Sequence, residues 1–258
     1  MSETSGGNVR AVERALQILA CFDDEHPERG ISDIAQAVKL HKATTHRIVT
    51  TLVSFGYIER AEDGQRYRLG LRLADLGYKV IRHMDLRRES QPFMADLTRR
   101  LGETSDLCVY DRGQVLYIEV VQGNHALTIA AAVGRGLPVH ATASGKILLA
   151  HMPAPERDAI LSSTLTKHTP HTVTNPEALR RQLEVIRTQG YAVDDEELEA
   201  GIRAVSAPIR NREGVVIAAM SIAGPASRLT LGRVPDTAQD LAATANAVSR
   251  RLGWVGGT

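Results

Sequence analysis

The sequence predicts an α+β chain in two parts joined by a helix, on three observations. Residues 30–69 carry two short helical periods followed by two β-type runs around an Asp-Gly pair. Beyond residue 90, β-rich runs separated by short turns alternate with helices, the pattern of an antiparallel sheet with helices laid on it. Between the two lies a continuous helical pattern, LRLADLGYKVIRHMDLRRE. The boundaries read from these patterns are 9–70, 71–89 and 90–258.

In order, residues 1–8 are polar and Gly-containing and are expected to be disordered. Residues 9–22 form a first helix with Val12, Leu16, Leu19 and Phe22 on one face, and DDEHPERG is a loop. In the next helix Ser32 is the expected N-cap, with Ile31, Ile34, Ala35 and Val38 at helical spacing. After a turn at 39–41, a second helix carries Thr45, Ile48, Val49 and Leu52 inward, and Gly56 stops it. The runs 57–60 and 66–69 flank Asp63-Gly64, a hairpin-turn signal. Helix, turn, helix and hairpin in this order make a winged helix-turn-helix.

The outward faces of the second helix suit a major groove. Thr44, Arg47 and Thr51 lie on one line, with Ala43, His46 and Thr50 on the next. These side chains are small or hydroxylated, and Lys42 and Arg47 offer donors to guanine edges or phosphates. Arg66 and Arg68, two apart on one strand face, would grip phosphate as a wing. The candidate DNA contacts are therefore Lys42, Thr44, His46, Arg47, Thr50, Arg66 and Arg68. The same pattern also fits a winged helix that contacts protein.

Composition excludes more than it assigns. A hydrophobic fraction of 43% and a charged fraction of 24% are ordinary for a globular protein, and 258 residues suffice for two cores. No run of eighteen apolar residues and no apolar signal core occur, so no membrane partner is expected. Two cysteines, Cys21 and Cys108, exclude a disulfide framework and fit a reducing cytoplasm. The net charge of +1 does not argue for nucleic acid, and residues 1–70 hold nine Lys/Arg against ten Asp/Glu. Residues 39–68, however, hold six basic residues against three acids, a modest excess that a dimer would double.

In the helix at 70–89, Leu73, Leu76, Val80 and Met84 form one apolar stripe and Leu71, Ala74, Tyr78 and Ile81 another. A helix apolar on two sides points to a linker that also joins a dimer. Helix is expected at 92–101, strands at 104–111 and 114–121 around Arg112-Gly113, an apolar run at 127–133, and a loop at 134–138. Short helices follow at 144–150 and 155–161, and a longer one at 176–189. Strands are expected at 191–194, 205–210 and 215–222, and a closing helix at 237–252 carries Leu241, Ala245 and Val248. In HATASGK a helix begins at Ala143, Ser144 and Gly145, whose first amides could bind an anion. The same stretch reads equally well as a simple loop-to-helix junction.

With both parts read, the chain resembles the IclR-type family of bacterial transcription regulators over nearly its whole length. The resemblance rests on VERALQILACF, LHKATTHRIVTTLVSFGYIER and YRLGLRLADLG in the first part. In the second it rests on GRGLPVHATASGKILLA, GYAVDDEELEAGIRAVSAPI and GVVIAAMSIAGPASR. It implies a winged helix-turn-helix joined by a helix to a GAF-like effector-binding domain, with double-stranded operator DNA as partner. It further implies a homodimer or dimer of dimers, and a small organic acid or related metabolite as effector. Both repression and activation occur in the family, repression being the first expectation. By resemblance the amides at Ala143, Ser144 and Gly145 hold the effector carboxylate. Asp194 and Ser221 fall on polar pocket positions, and Ile129, Leu137 and Ile202 on the apolar wall. Ala204 and Ala223 stand where keto-acid-binding members have polar side chains, which leaves room for a larger or less polar ligand.

Enzymatic readings lack their residues. Ser144-Gly145-Lys146 misses a phosphate-binding loop, because His140 stands where its first Gly is needed and Ile147 where Ser or Thr is needed. No G-x-S-x-G occurs. His168 and His171 are separated by Pro170, which breaks a helix that could align them on a metal. No catalytic residue, cofactor or metal is expected.

Overall fold

The computed structural model describes residues 9–82, 84–127, 129 and 131–256. The expected disorder of the first eight residues, positions 128 and 130 of the apolar run, and the side chains of Tyr78 and Ile81 lie outside what it describes. The chain divides into two compact units, 1–83 and 84–258.

In the first unit α1 (Arg10–Ala20), α2 (Ile31–Ala37) and α3 (Lys42–Ser54) are followed by β2 (Ile58–Arg60) and β3 (Arg66–Leu69). A two-residue strand β1 (Arg29–Gly30), not legible in sequence, adds to the outer side of β3 by pairing with Tyr67 and Arg66. One core gathers Ile18, Phe22, Ile34, Val49, Leu52, Ile58 and Tyr67. The expected face of α1 is corrected: Phe22 is buried, but Val12 and Leu16 are 56% and 60% exposed, and Ile18 turns inward instead. The N-cap of α2 is also corrected. Gly30 occupies it, its amide donating to Asp33 Oδ2 at 3.1 Å, and Ser32 makes no capping bond. At Gly56 the backbone takes φ +75°, and its carbonyl lies 2.2 Å from where a Cβ on Gly70 would stand. Gly70 thus lets the end of the hairpin close against the end of α3.

The expected single helix at 70–89 is two helices. α4 (Leu71–Arg82) ends the first unit, and α5 (Asp85–Leu101) opens the second with Met84 as its N-cap. Met84 packs against the core of the second unit, so it does not extend the stripe of α4. Pro92 lies inside α5 rather than at a helix start. It removes one intrahelical bond, and the freed carbonyl belongs to Arg88, on the exposed side where water can serve it.

The second unit is built on a six-stranded antiparallel sheet in the order β6-β5-β4-β9-β8-β7. Its strands are β4 (Thr104–Asp111), β5 (Gln114–Val121), β6 (Gly136–Pro138), β7 (Ala192–Asp195), β8 (Ile202–Arg210) and β9 (Val216–Pro225). The stretch 136–138, expected as loop, is the edge strand β6 because it pairs with Gln114–Leu116 of β5. The described residues of the apolar run 127–133 form no strand. Alternation of side chains splits the sheet into two cores. Leu107, Ala207 and Met220 face α5 and α9 (Val234–Arg251), while Cys108 and Ala219 face α6 (Ala143–His151) and α8 (Pro176–Gln189). A short α7 (Ala154–Leu161) precedes α8. Among the described residues no helix is long and apolar enough to cross a membrane.

Gly70→Ala should lower the stability of the first unit by about 1–3 kcal/mol, because the methyl would meet backbone that cannot move aside. Denaturant titration followed by far-ultraviolet circular dichroism checks this; an unchanged midpoint would mean the close approach is not needed.

Candidate functional site

Two places can do chemistry of recognition, one in each unit. In the first, α3 buries Thr45, Val49 and Leu52 and leaves Lys42, His46, Arg47 and Thr50 exposed, with Thr44 half-buried. The hydroxyls of Thr45 and Thr51 donate back to the carbonyls of His41 and Arg47 at 3.2 and 3.0 Å, which spends them inside the helix. Among the described residues no carboxylate lies within ion-pairing distance of Lys42 or Arg47.

The wing differs from its expected character. Arg66 donates through Nε to Asp63 at 2.6 Å and also meets Glu28 at 3.0 Å, while Arg68 lies 3.5 Å from Glu59. Asp63 is held down to about 2 by the Arg66 side chain and by the amides of Arg66 and Gln65. Tyr67 between them is buried, with the Arg60 guanidinium 5.4 Å from its ring centre. Both wing arginines reach solvent, yet each already holds an acid.

The second place is a cavity of about 310 Å³ in the second unit, bounded by β4, β5, residues Leu127, Ile129, Ala131, Arg135 and Leu137, the start of α6, and β7 to β9. Of the residues singled out from sequence, Ile129, Leu137, Ala143, Ser144, Asp194, Ile202, Ala204, Ser221 and Ala223 line it. Gly145 does not. Its amide donates to the hydroxyl of Thr142, the N-cap of α6, at 3.1 Å, and that hydroxyl donates to the Pro138 carbonyl at 3.0 Å. A Cβ at Gly145 would stand 2.1 Å from the Val139 carbonyl oxygen, so this glycine serves close packing. The amides left without an intrahelical acceptor at this end are those of Ala143 and Ser144. Ser144 Oγ lies 3.2 Å from Ser206 Oγ, which donates to the Met220 carbonyl at 3.0 Å.

Asp194 is buried, and Oδ1 accepts from the amides of Glu197 and Leu198 at 2.8 and 3.4 Å. Desolvation raises its carboxyl to about 7, although those amides and the nearby Lys146 ammonium favour the charged form. Lys146 is fully buried, ion-paired to Glu197, and donates to the Val193 carbonyl at 3.3 Å.

Sequence reading missed Asp106, Cys108, Tyr117, Arg135 and Thr142, all of which line the cavity. Asp106 stands opposite Ser221 across β4 and β9 and accepts from Ser221 and from the Cys108 thiol, 3.1 Å away. Burial pushes its carboxyl upward. Burial and then Asp106 raise Cys108; burial, then Asp106 and Cys108, raise the Tyr117 phenol. An acid two residues from a cysteine inside an apolar strand was the available signal, since both then face the same side. The two alanines expected to leave room for a larger or less polar ligand sit in a lining of mixed polarity. Ala204 and Ala223 are cross-strand neighbours and form an apolar patch, but Asp106, Tyr117 and Arg135 supply polar lining elsewhere. Among the described residues no group of three His, Cys, Asp or Glu is placed to hold a metal.

Comparison with known proteins matches residues 11–62 to the IclR helix-turn-helix domain and residues 78–250 to the bacterial transcriptional regulator IclR C-terminal domain. The HTH-type transcriptional regulator XynR of Escherichia coli (strain K12) is 38% identical over 95% of this chain and 98% of its own length. The HTH-type transcriptional repressor AllR of Klebsiella pneumoniae is 30% identical over 95% of this chain and 90% of its own. Among solved structures, an IclR homolog from Microbacterium hydrocarbonoxydans complexed with 4-hydroxybenzoate superposes with a TM-score of 0.81. It is 35% identical, and the match covers 94% of this chain and 98% of that one.

The charge state of Asp194 can be read from stability. Its folded value of about 7 lies above its unfolded value of 3.8, so the native state holds the proton through that window. The stability that this proton contributes is lost as pH rises through about 7. Asp194→Asn removes the dependence. Its stability relative to wild type should therefore rise by roughly 2.5 kcal/mol between pH 5 and 8, measured by denaturant titration. A pH-independent difference would show that Asp194 is charged throughout.

Proposed function

The chain belongs to the IclR family of bacterial transcriptional regulators, and from that premise we propose that it is a repressor released or recruited by a hydroxylated organic acid. It binds DNA through the helix-turn-helix unit. The observation that carries the effector reading is the cavity at the start of α6, where two unspent amides and a buried acid stand beside an apolar wall.

The effector carboxylate takes the amides of Ala143 and Ser144, at the positive end of the α6 dipole. Ile129, Leu137, Ile202 and the methyls of Ala204 and Ala223 cover its apolar part. Asp194 meets a ligand hydroxyl, and near neutral pH it can do so protonated, without repelling the carboxylate. The Microbacterium homolog's ligand, 4-hydroxybenzoate, combines one carboxylate, one hydroxyl and an apolar body, and a molecule of that build suits this lining. The name of AllR supports repression as the direction of control. For the signal to reach DNA, the effector must favour one arrangement of the two units over another. Lys42, Thr44, His46, Arg47 and Thr50 are the DNA-facing residues of this reading.

The protein works as a homodimer or dimer of dimers in a cytoplasm. Val12 and Leu16 on α1, and Leu71, Leu76 and Val80 on α4, are exposed and supply the apolar contact. Sedimentation should then show a dimer or larger species at micromolar concentration, and Leu76→Glu with Val80→Glu should shift it toward monomer. A wild-type monomer under those conditions would remove the self-association.

Calorimetric titration with 4-hydroxybenzoate and related hydroxy acids, beside binding to operator duplex, tests the two sites separately. Ser144→Pro deletes one amide and should weaken the acid by ~1–3 kcal/mol while leaving DNA binding intact. Arg47→Ala should weaken duplex by ~1–3 kcal/mol while leaving the acid untouched. Acid binding indifferent to Ser144→Pro and Asp194→Asn would place the pocket elsewhere.

A further inference from the structure

The wing brings less uncommitted positive charge to DNA than its sequence suggests. To touch phosphate, Arg66 must leave Asp63 and Glu28, and Arg68 must leave Glu59. Those carboxylates would themselves stand close to the phosphate and repel it. Exchanging one anion for another also releases few counterions, which is the main source of phosphate-contact affinity.

A second set of cations stands on α1. Arg10 and Arg14 are four residues apart, so they share a face of the helix. With Thr44, His46, Arg47 and Thr50 of α3 they line an open groove of about 650 Å³. Among the described residues no carboxylate lies within ion-pairing distance of Arg10 or Arg14, nor of Lys42 and Arg47 nearby. In the same unit Arg29, Arg66, Arg68, Arg72 and Lys79 each have one. Among the described residues Lys39 and Arg60 also lack a carboxylate, but Arg60 is spent on the Gly64 carbonyl and the Tyr67 ring, so the cations lining this groove differ from the wing arginines Arg66 and Arg68 in having no acid to give up. Three uncompensated cations lining one groove, Arg10, Arg14 and Arg47, repel one another modestly in water, and a polyanion relieves that repulsion. Four residues of helix rise by about 6 Å, a step that two long side chains can fit to successive phosphates of one strand.

We propose that Arg10 and Arg14 grip the DNA backbone beside the recognition helix, and that they, rather than Arg66 and Arg68, carry the larger share of the phosphate charge contacts. The proposal rests on the DNA-binding reading of the first unit. In it α3 enters the groove, α1 lies along the flanking strand, and the wing adds shape and steric fit.

The test measures how steeply affinity depends on salt, using the full-length protein and a fluorescent random-sequence duplex of about 30 base pairs over about 50–200 mM salt. A random duplex suffices because phosphate contacts are blind to sequence. Arg10→Gln with Arg14→Gln should flatten the slope by ~0.9 per arginine, so ~1.8 per subunit. Arg66→Gln with Arg68→Gln should change it by less than half as much. Arg10→Lys with Arg14→Lys keeps the point charges and should keep the slope. Circular dichroism and melting should not change in the glutamine variant, since neither arginine has an ion pair to lose.

An unchanged slope in that variant, or a larger loss from the wing pair, overturns the proposal. So does a glutamine variant whose sedimentation shifts along with its binding, because the arginines would then belong to a protein contact. If wild-type protein shows no salt-dependent duplex binding at all, the DNA reading itself fails and this proposal with it. The three glutamine-variant outcomes leave that reading standing.

Discussion

The second unit depends on one buried charge pair. Lys146 is fully buried on α6, and its ammonium is compensated by Glu197 from the segment after β7. Taking either charge out of water alone costs several kcal/mol, so the two elements must stay together for the fold to keep both. The pair stitches α6 to the segment whose amides hold Asp194. Thr169 and Thr172 add hydroxyl bonds to the Glu197 carbonyl, and so anchor the far side of the same segment. The cavity walls on this side are thereby held by the fold itself.

Gly145 completes the constraint from the other side. Its missing side chain lets α6 sit against the Val139 backbone, and its amide is spent on Thr142. The start of α6 is therefore placed by packing and capping together. The two amides that remain belong to Ala143 and Ser144, and they open onto the cavity. A helix end rigidly placed in this way would lose little conformational freedom on meeting an anion, which is where preorganised sites gain their affinity.

The first unit shows the same economy in charge. Its composition is balanced between acids and bases, so attraction to DNA has to come from arrangement. Ion pairs hold Arg66 and Arg68 of the wing and Arg72 and Lys79 of α4, while Arg10 and Arg14 on α1 and Lys42 and Arg47 on α3 are left uncompensated among the described residues. A surface so divided presents positive potential on one face without raising the net charge of the whole chain.

Much of this was legible in the sequence. The helix-turn-helix followed from three- and four-residue apolar spacing, the hairpin from Asp63-Gly64, and the antiparallel sheet from strand runs around tight turns such as Arg112-Gly113. These are local signals, set by backbone geometry and side-chain period. The family resemblance placed part of the cavity lining, including Asp194 and Ser221. What the sequence could not supply were relations between distant segments. It read 70–89 as one helix, since the new start at Met84 and Asp85 is decided by Met84 docking on the second core. It read Arg66 and Arg68 as available to phosphate, because their acids Glu28 and Glu59 come close only when β1, β2 and β3 pair. It passed over Asp106, which becomes a pocket residue only when β9 sets Ser221 opposite it. Local order was in the sequence; which charges meet, and which stay unpaired, was decided by the tertiary structure, because that depends on distances between residues far apart in the chain.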